Sequence, residues 1–184
     1  MKLRLGTTLV ILVTAGFVGR GAADPVIVVS LPDTAGVVGD RIRVNLDMQG
    51  VEGMQAATID IVFDRAVVAP RPSSLQLGPL GQSPAHAPLY GAATPADSLF
   101  RIVYSVADSV NGSGTFVSFE FDLVGEGTSP LRFERLTLER LPDIQLPASG
   151  DNGSVVAGPA AVEEATWGRV KRRFGPAPGG AGRF

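Results

Sequence analysis

The sequence predicts an all-β protein, an antiparallel sandwich of short strands. Three observations carry this reading. Apolar residues recur at every second position over most of the chain from residue 26 onward, which is the strand period. Clusters of Gly, Asn, Asp and Ser separate these runs at short intervals. The 23 glycines and 14 prolines among 184 residues suit many turns and disfavour long helices.

Taken in order, Val26-Ile27-Val28-Val29 is a β-branched run that stops at Leu31-Pro32-Asp33. Gly36 to Asp40 supplies a turn. Ile42, Val44, Leu46 and Met48 then alternate with Arg41, Arg43, Asn45 and Asp47, the pattern of a half-buried strand. Ile59, Ile61 and Phe63 alternate with Thr58 and Asp60. Phe100, Ile102, Tyr104 and Val106 form a third alternating set. Val117, Phe119, Phe121 and Leu123 form a fourth, against Ser118, Glu120 and Asp122. In Leu131, Phe133, Leu136 and Leu138 the phase changes midway, which predicts a bulge near Glu134-Arg135. Ser154 to Ala157 closes the set. The turns expected between these strands are Gly50–Gly53, Asn111–Gly114, Gly125–Gly127 and Asp151–Gly153. Residues 70–96 are Pro-rich and weakly periodic, so they read as a long surface loop or as a pair of irregular edge strands. No fixed-period repeat is present.

Composition bounds the function. Hydrophobic residues make up 45% of the chain, enough for a packed core, and charged residues only 18%, against about 25% in an average soluble protein. The length suits one domain with tails. The absence of cysteine excludes a disulfide framework, a thiol nucleophile and a thiolate metal site. A single histidine, His86, excludes mechanisms that need a histidine pair. Residues 24–165 carry eight arginines against 18 acidic residues. That acidic body opposes nucleic acid, whose phosphates require surface Lys and Arg.

Both ends differ from the body. Lys2 and Arg4 precede an apolar stretch from Leu9 to Val18, and Gly21-Ala22-Ala23 follows. Residues 1–23 therefore read as a secretory signal peptide cut after Ala23. The stretch is short of the roughly 20 apolar residues that span a bilayer, and Arg20 interrupts it. Residues 24–158 are the expected sandwich. Residues 159–184 are a Gly/Pro/Ala linker and a basic tail, of which residues 166–184 carry five Lys and Arg, no acid and the only tryptophan, Trp167. Val162 to Ala165 are tolerable helix formers. Trp167, Val170 and Phe174 share one side at helical spacing, which suits a peripheral contact with an anionic envelope surface or with the acidic body. The plain alternative is a solvated tail.

Three stretches give the body a family likeness. These are Val37-Val38-Gly39-Asp40-Arg41-Ile42-Arg43-Val44, then Val51 to Asp64, then Gly112-Ser113-Gly114-Thr115-Phe116-Val117-Ser118-Phe119-Glu120-Phe121. With the closing Gly153-Ser154-Val155-Val156, the body over about residues 25–158 resembles the cohesin domain family. The resemblance implies a jelly-roll sandwich of about nine strands. It implies a non-catalytic, exported module, periplasmic or extracellular, that binds another exported protein bearing a dockerin. It places no partner-binding residue here. A carbohydrate-binding module linked to polysaccharide degradation is the alternative on a similar sandwich. Against it, Phe outnumbers Tyr and Trp nine to three, and Tyr90 alone is placed to be an exposed stacking ring.

No catalytic, metal or cofactor residues emerge. His86 lies in a Pro-rich loop with no companion ligand at local spacing, and reads as solvated. Asp60 and Asp64 could pair for glycoside hydrolysis, but a solvated outer face with Asp64 opening a turn accounts for them. Asp108 to Ser113 and Asp151-Asn152-Gly153 lack the spacing and terminal Glu of a calcium loop and read as turns.

Overall fold

The period-two alternation builds ten strands in a computed structural model that describes residues 26–82, 85–141 and 143–160. They are β1 (Ile27–Ser30), β2 (Asp33–Val37), β3 (Arg41–Val62), β4 (Val68–Leu77), β5 (Leu89–Ala96), β6 (Leu99–Leu123), β7 (Gly127–Arg140), β8 (Ile144–Leu146), β9 (Ala148–Asp151) and β10 (Gly153–Gly158). Among the described residues there is no helix. The apolar N-terminal segment and the basic tail with Trp167 lie outside them.

β3 and β6 form one long antiparallel pair, from Arg41 opposite Asp122 to Val62 opposite Leu99. Each strand serves two layers. The first half of β3 sits between β1 and the second half of β6, with β9 and β4 outermost. The second half of β3 sits between β7 and the first half of β6, with β8 and β5 outermost. The register breaks at several points between Leu46 and Ala56, and there the pair bends from one layer into the other. The sheet thus curls on itself into a jelly-roll sandwich.

Two expected turns are corrected here. Gly50–Gly53 and Asn111–Gly114 do not end strands but lie opposite one another inside the β3–β6 bend. Positive φ at Gly53 (75°) and Gly112 (114°) lets the backbone kink. Side chains then crimp it: Asn111 Oδ1 accepts the Gly53 N–H at 2.8 Å, and Ser113 Oγ accepts the Gly50 N–H at 3.0 Å. The Asp151-Asn152-Gly153 turn is likewise a brief break between β9 and β10. Residues 70–96 supply the edge strands β4 and β5. The bulge near Glu134 is present: Asp60 faces Arg135 and Ile61 faces Phe133, leaving Glu134 over.

Inward side chains from both layers fill one core. Phe100, Phe116, Phe119 and Phe121 are fully buried. Phe100 and Phe119 lie 4.8 Å apart between ring centroids, and Phe119 meets Phe121 edge-on at 5.5 Å. Tyr104 points inward, as its phase predicts, and its hydroxyl donates to the Gly81 carbonyl at 3.0 Å. A buried phenol keeps a partner for its polar tip in this way.

The remaining seam closes with parallel pairing. β1 runs parallel to β9, and β2 runs parallel to β10, in one unbroken register offset. β10 also pairs antiparallel with the start of β7. Gly153, the first residue of β10, packs against the backbone that links β1 to β2. A Cβ there would lie 2.7 Å from the Leu31 carbonyl oxygen and nearer still to that of Pro32. Gly153→Ala should therefore cost about 1–3 kcal/mol, read from urea unfolding. Gly91→Ala, whose Cβ meets nothing within 4 Å, should change stability by less than about 0.5 kcal/mol.

Candidate functional site

The sandwich has two broad outer faces, and alternation along β3 and β6 dictates both. On the first layer the outward residues are charged. Arg41 Nε lies 3.1 Å from Asp122 Oδ1 and 3.7 Å from Glu120, Arg43 lies 3.3 Å from Glu120, and Arg71 lies 3.2 Å from Asp122. Hydrogen bonding from Arg41, with the added charge of Arg71, lowers the Asp122 pKa below its ordinary value. The arginines of this face are thus paired across neighbouring strands, while Asp47 on the same side of β3 keeps one buried carboxylate oxygen without a hydrogen-bond partner.

The second outer face, over β8, β7, β3, β6 and β5, is different. Its middle is small and apolar: Ala56, Thr58 and Val103 lie beside Gly91 and Ala93 of β5, in register across three strands. Leu89 and Val103 are 79% and 45% exposed. A shallow depression of about 320 Å³ opens here, lined by Ala56, Thr58, Leu89, Gly91, Val103 and Ser105 among others. Apolar surface left open on a broad face is the mark of a contact site.

One charged cluster anchors this face. Asp60 is 3% exposed, which corrects its expected solvated placement. Arg101, directly opposite on β6, closes over it with Nε to Oδ1 and Nη2 to Oδ2, both at 2.7 Å. Arg135 Nε approaches at 3.8 Å, carried there by the β7 bulge. The Arg101 hydrogen bonds lower the Asp60 pKa most; burial opposes them, and the charges of Arg101 and Arg135 reinforce them. The same pairing raises the Arg101 pKa. Sequence reasoning noticed Asp60 but not its partner, because Arg101 is 41 residues away. Alternation of Arg101 with Phe100 and Ile102 was the available signal.

The other candidates separate. Asp64 lies past the end of β3, where its Oδ1 accepts the Ala66 N–H at 2.9 Å and its own N–H donates to Ser129 Oγ at 2.8 Å. It shapes a turn and does not face Asp60's pair. His86 is not simply solvated: its Nδ1 lies 2.8 Å from Asp108 Oδ2, at the rim of a second depression of about 490 Å³ beside Asn111. Among the described residues no group of three or more His, Asp or Glu is placed to hold a metal ion. Asp108 to Ser113 belongs to the β6 bend. Tyr90 is 46% exposed.

No sequence family model matches the chain, and no characterised protein matches it by sequence. Solved structures do match. The seventh ScaB type I cohesin from Pseudobacteroides cellulosolvens superposes with a TM-score of 0.63 at 17% identity, over 76% of this chain and 96% of the cohesin. A non-cellulosomal cohesin from Archaeoglobus fulgidus gives 0.63 at 12% identity, over 78% and 98%. The matched chain of a type I cohesin–dockerin complex from Clostridium thermocellum gives 0.64 at 14% identity, over 76% and 97%. The described body has the cohesin fold.

The Asp60 cluster predicts a pH dependence. The folded pKa lies below the unfolded value of about 4, so the pair stabilises fully above that pH. The contribution is lost as pH falls through the depressed value. Asp60→Asn should lose about 1–3 kcal/mol at neutral pH and converge on the parent protein in strong acid, measured by urea melts at both. An equal loss at both pH values would assign the effect to packing.

Proposed function

We propose that this cohesin-fold chain is a non-catalytic, exported protein-docking module, with residues 24–158 as its folded unit, that receives a dockerin-type partner on the open face around Val103. One observation carries the reading. One outer face ties up its arginines in its own ion pairs, while the other presents small and apolar residues and an uncovered depression. A preformed sheet face of this kind binds with little rearrangement. Its energy comes from a few central side chains rather than from area.

The solved relatives support the partner class, since several of the cohesins that share this fold were crystallised with dockerins. Export is supported by the pattern of residues 2–23, and the non-catalytic reading by the lack, among the described residues, of any group of three His, Asp or Glu placed to hold a metal ion.

Calorimetric titration of the chain with purified dockerin modules tests the reading. Val103→Glu places a charge in the middle of the open face and should weaken binding by at least about tenfold. Arg43→Ala on the ion-paired face should change it by less than about twofold. Binding lost with Arg43→Ala and kept with Val103→Glu would move the site to the other face. Retention on insoluble polysaccharide with no dockerin binding would replace the partner class.

A further inference from the structure

A strand at a sheet edge exposes unpaired N–H and C=O groups, and folded proteins blunt such edges with shortness, charge, proline or bulges. Most edges here follow that rule. β8 has three residues. β2 and β9 have five and four, and each carries an aspartate, Asp33 and Asp151. β4 is longer, but it holds Pro70, Arg71 and Pro72 and breaks register between Arg71 and Gln76.

β5 follows it only near its end, through Pro95. It runs eight residues, Leu89 to Ala96, with no charged side chain and no buried residue. It pairs with β6 alone, in regular register from Leu89 to Ala93, and Pro95 lies beyond that stretch. Its exposed apolar residues occupy both sides. Leu89 is 79% exposed and the next residue, Tyr90, is 46% exposed; successive side chains on a strand point to opposite faces. A partner lying on one face would cover only one of them, whereas a strand laid alongside covers both.

We propose that β5 pairs antiparallel with β5 of a second copy of this chain, joining the two sheets across a two-fold axis. The composition of β5 admits that occupant, because the strand carries no charge to repel its own copy. The body is acidic, with eight arginines against 18 acidic residues over 24–165, so two copies repel over most approaches. β5 is an uncharged window, and the nearest charges are already neutralised, Asp97 by Arg65 and Arg101 by Asp60. Pairing centred on Gly91, the middle of the regular stretch, sets Leu89 against Ala93 and Tyr90 against Ala92 of the copy and meets no like charge. The regular stretch extends about 17 Å, at about 3.4 Å per residue. An interface of that size belongs to the weaker class, so the dimer is reversible and concentration-dependent. An axis normal to the sheet keeps the open faces of both copies on the same side, which makes the dimer bivalent.

Sedimentation velocity of the full chain from micromolar to near-millimolar concentration tests this. A monomer–dimer equilibrium is expected, with the β5 amides more protected from hydrogen exchange at high concentration. Thr94→Lys and, separately, Leu89→Lys, both at exposed positions, should weaken dimerisation by about tenfold or more, with thermal unfolding unchanged. Val103→Glu should leave it intact, which separates this result from the docking reading. A chain that stays monomeric throughout would overturn the proposal. So would a dimer indifferent to both lysines, or β5 amides protected only by an added extended peptide.

Discussion

Both layers of the sandwich hang on one backbone pairing, that of β3 with β6. The ladder from Arg41–Asp122 to Val62–Leu99 runs through the first layer, bends, and continues through the second. Side-chain direction alternates strictly along a strand, so a slip of one residue would turn every core residue outward. The register that buries Phe100, Phe119, Ile59 and Val44 also fixes the charged ladder on one face and the Ala56–Thr58–Val103 surface on the other. The bend supplies what strict alternation cannot, because it redirects the same two strands toward a shared core. Extra residues absorb the turn. Phe116, left between Thr115 and Val117 in the ladder, enters the core through this irregularity and meets Tyr104 with its ring centroid 4.8 Å away.

How much of this the sequence showed depends on the range of each interaction. Alternating runs revealed the strands, and the phase change at Glu134-Arg135 revealed the β7 bulge, because both signals are local. The Gly-rich stretches at 50–53 and 111–114 misled for the same reason. Glycine at positive φ has the same local signature in a tight turn and in a mid-strand kink. Only the partner strand separates the two, and that partner lies 58 residues away for Gly53 and Asn111. β2 was hidden because Asp33-Thr34-Ala35-Gly36-Val37 has little apolar alternation; it is a strand because β10 lies beside it. The candidate face was half legible. Thr58, Asp60 and Tyr104 were assigned to strands, yet which outer face stays open depends on ion pairs between residues up to 81 apart.

The contrast between the faces is one of polar satisfaction. On the first, Arg41, Arg43 and Arg71 each have a carboxylate on the adjacent strand, and Asp47 Oδ1 is the exception left without a partner. On the second, Asp60, Arg101 and Arg135 gather at one end and Glu139 lies opposite Ala56 at the other, with Thr58, Val103 and Gly91 between them. The buried carboxylate is tolerable because two hydrogen bonds and a second cation compensate its lost hydration. That arrangement holds the Arg101 and Arg135 guanidiniums at the margin of an otherwise apolar patch, where they frame it without crossing it.

The parallel closure of first strand on last bears on how the chain reaches this state. β1 finds one of its two partner strands, and β2 its only one, in β9 and β10, more than a hundred residues later. Contacts that distant in sequence are the entropically slow ones to form. A chain emerging from its N-terminus holds the opening strands with one edge unsatisfied until the final strand arrives. Completion of the sandwich is therefore a late kinetic event, and a chain truncated before Gly153 would present an unzipped seam rather than a smaller domain.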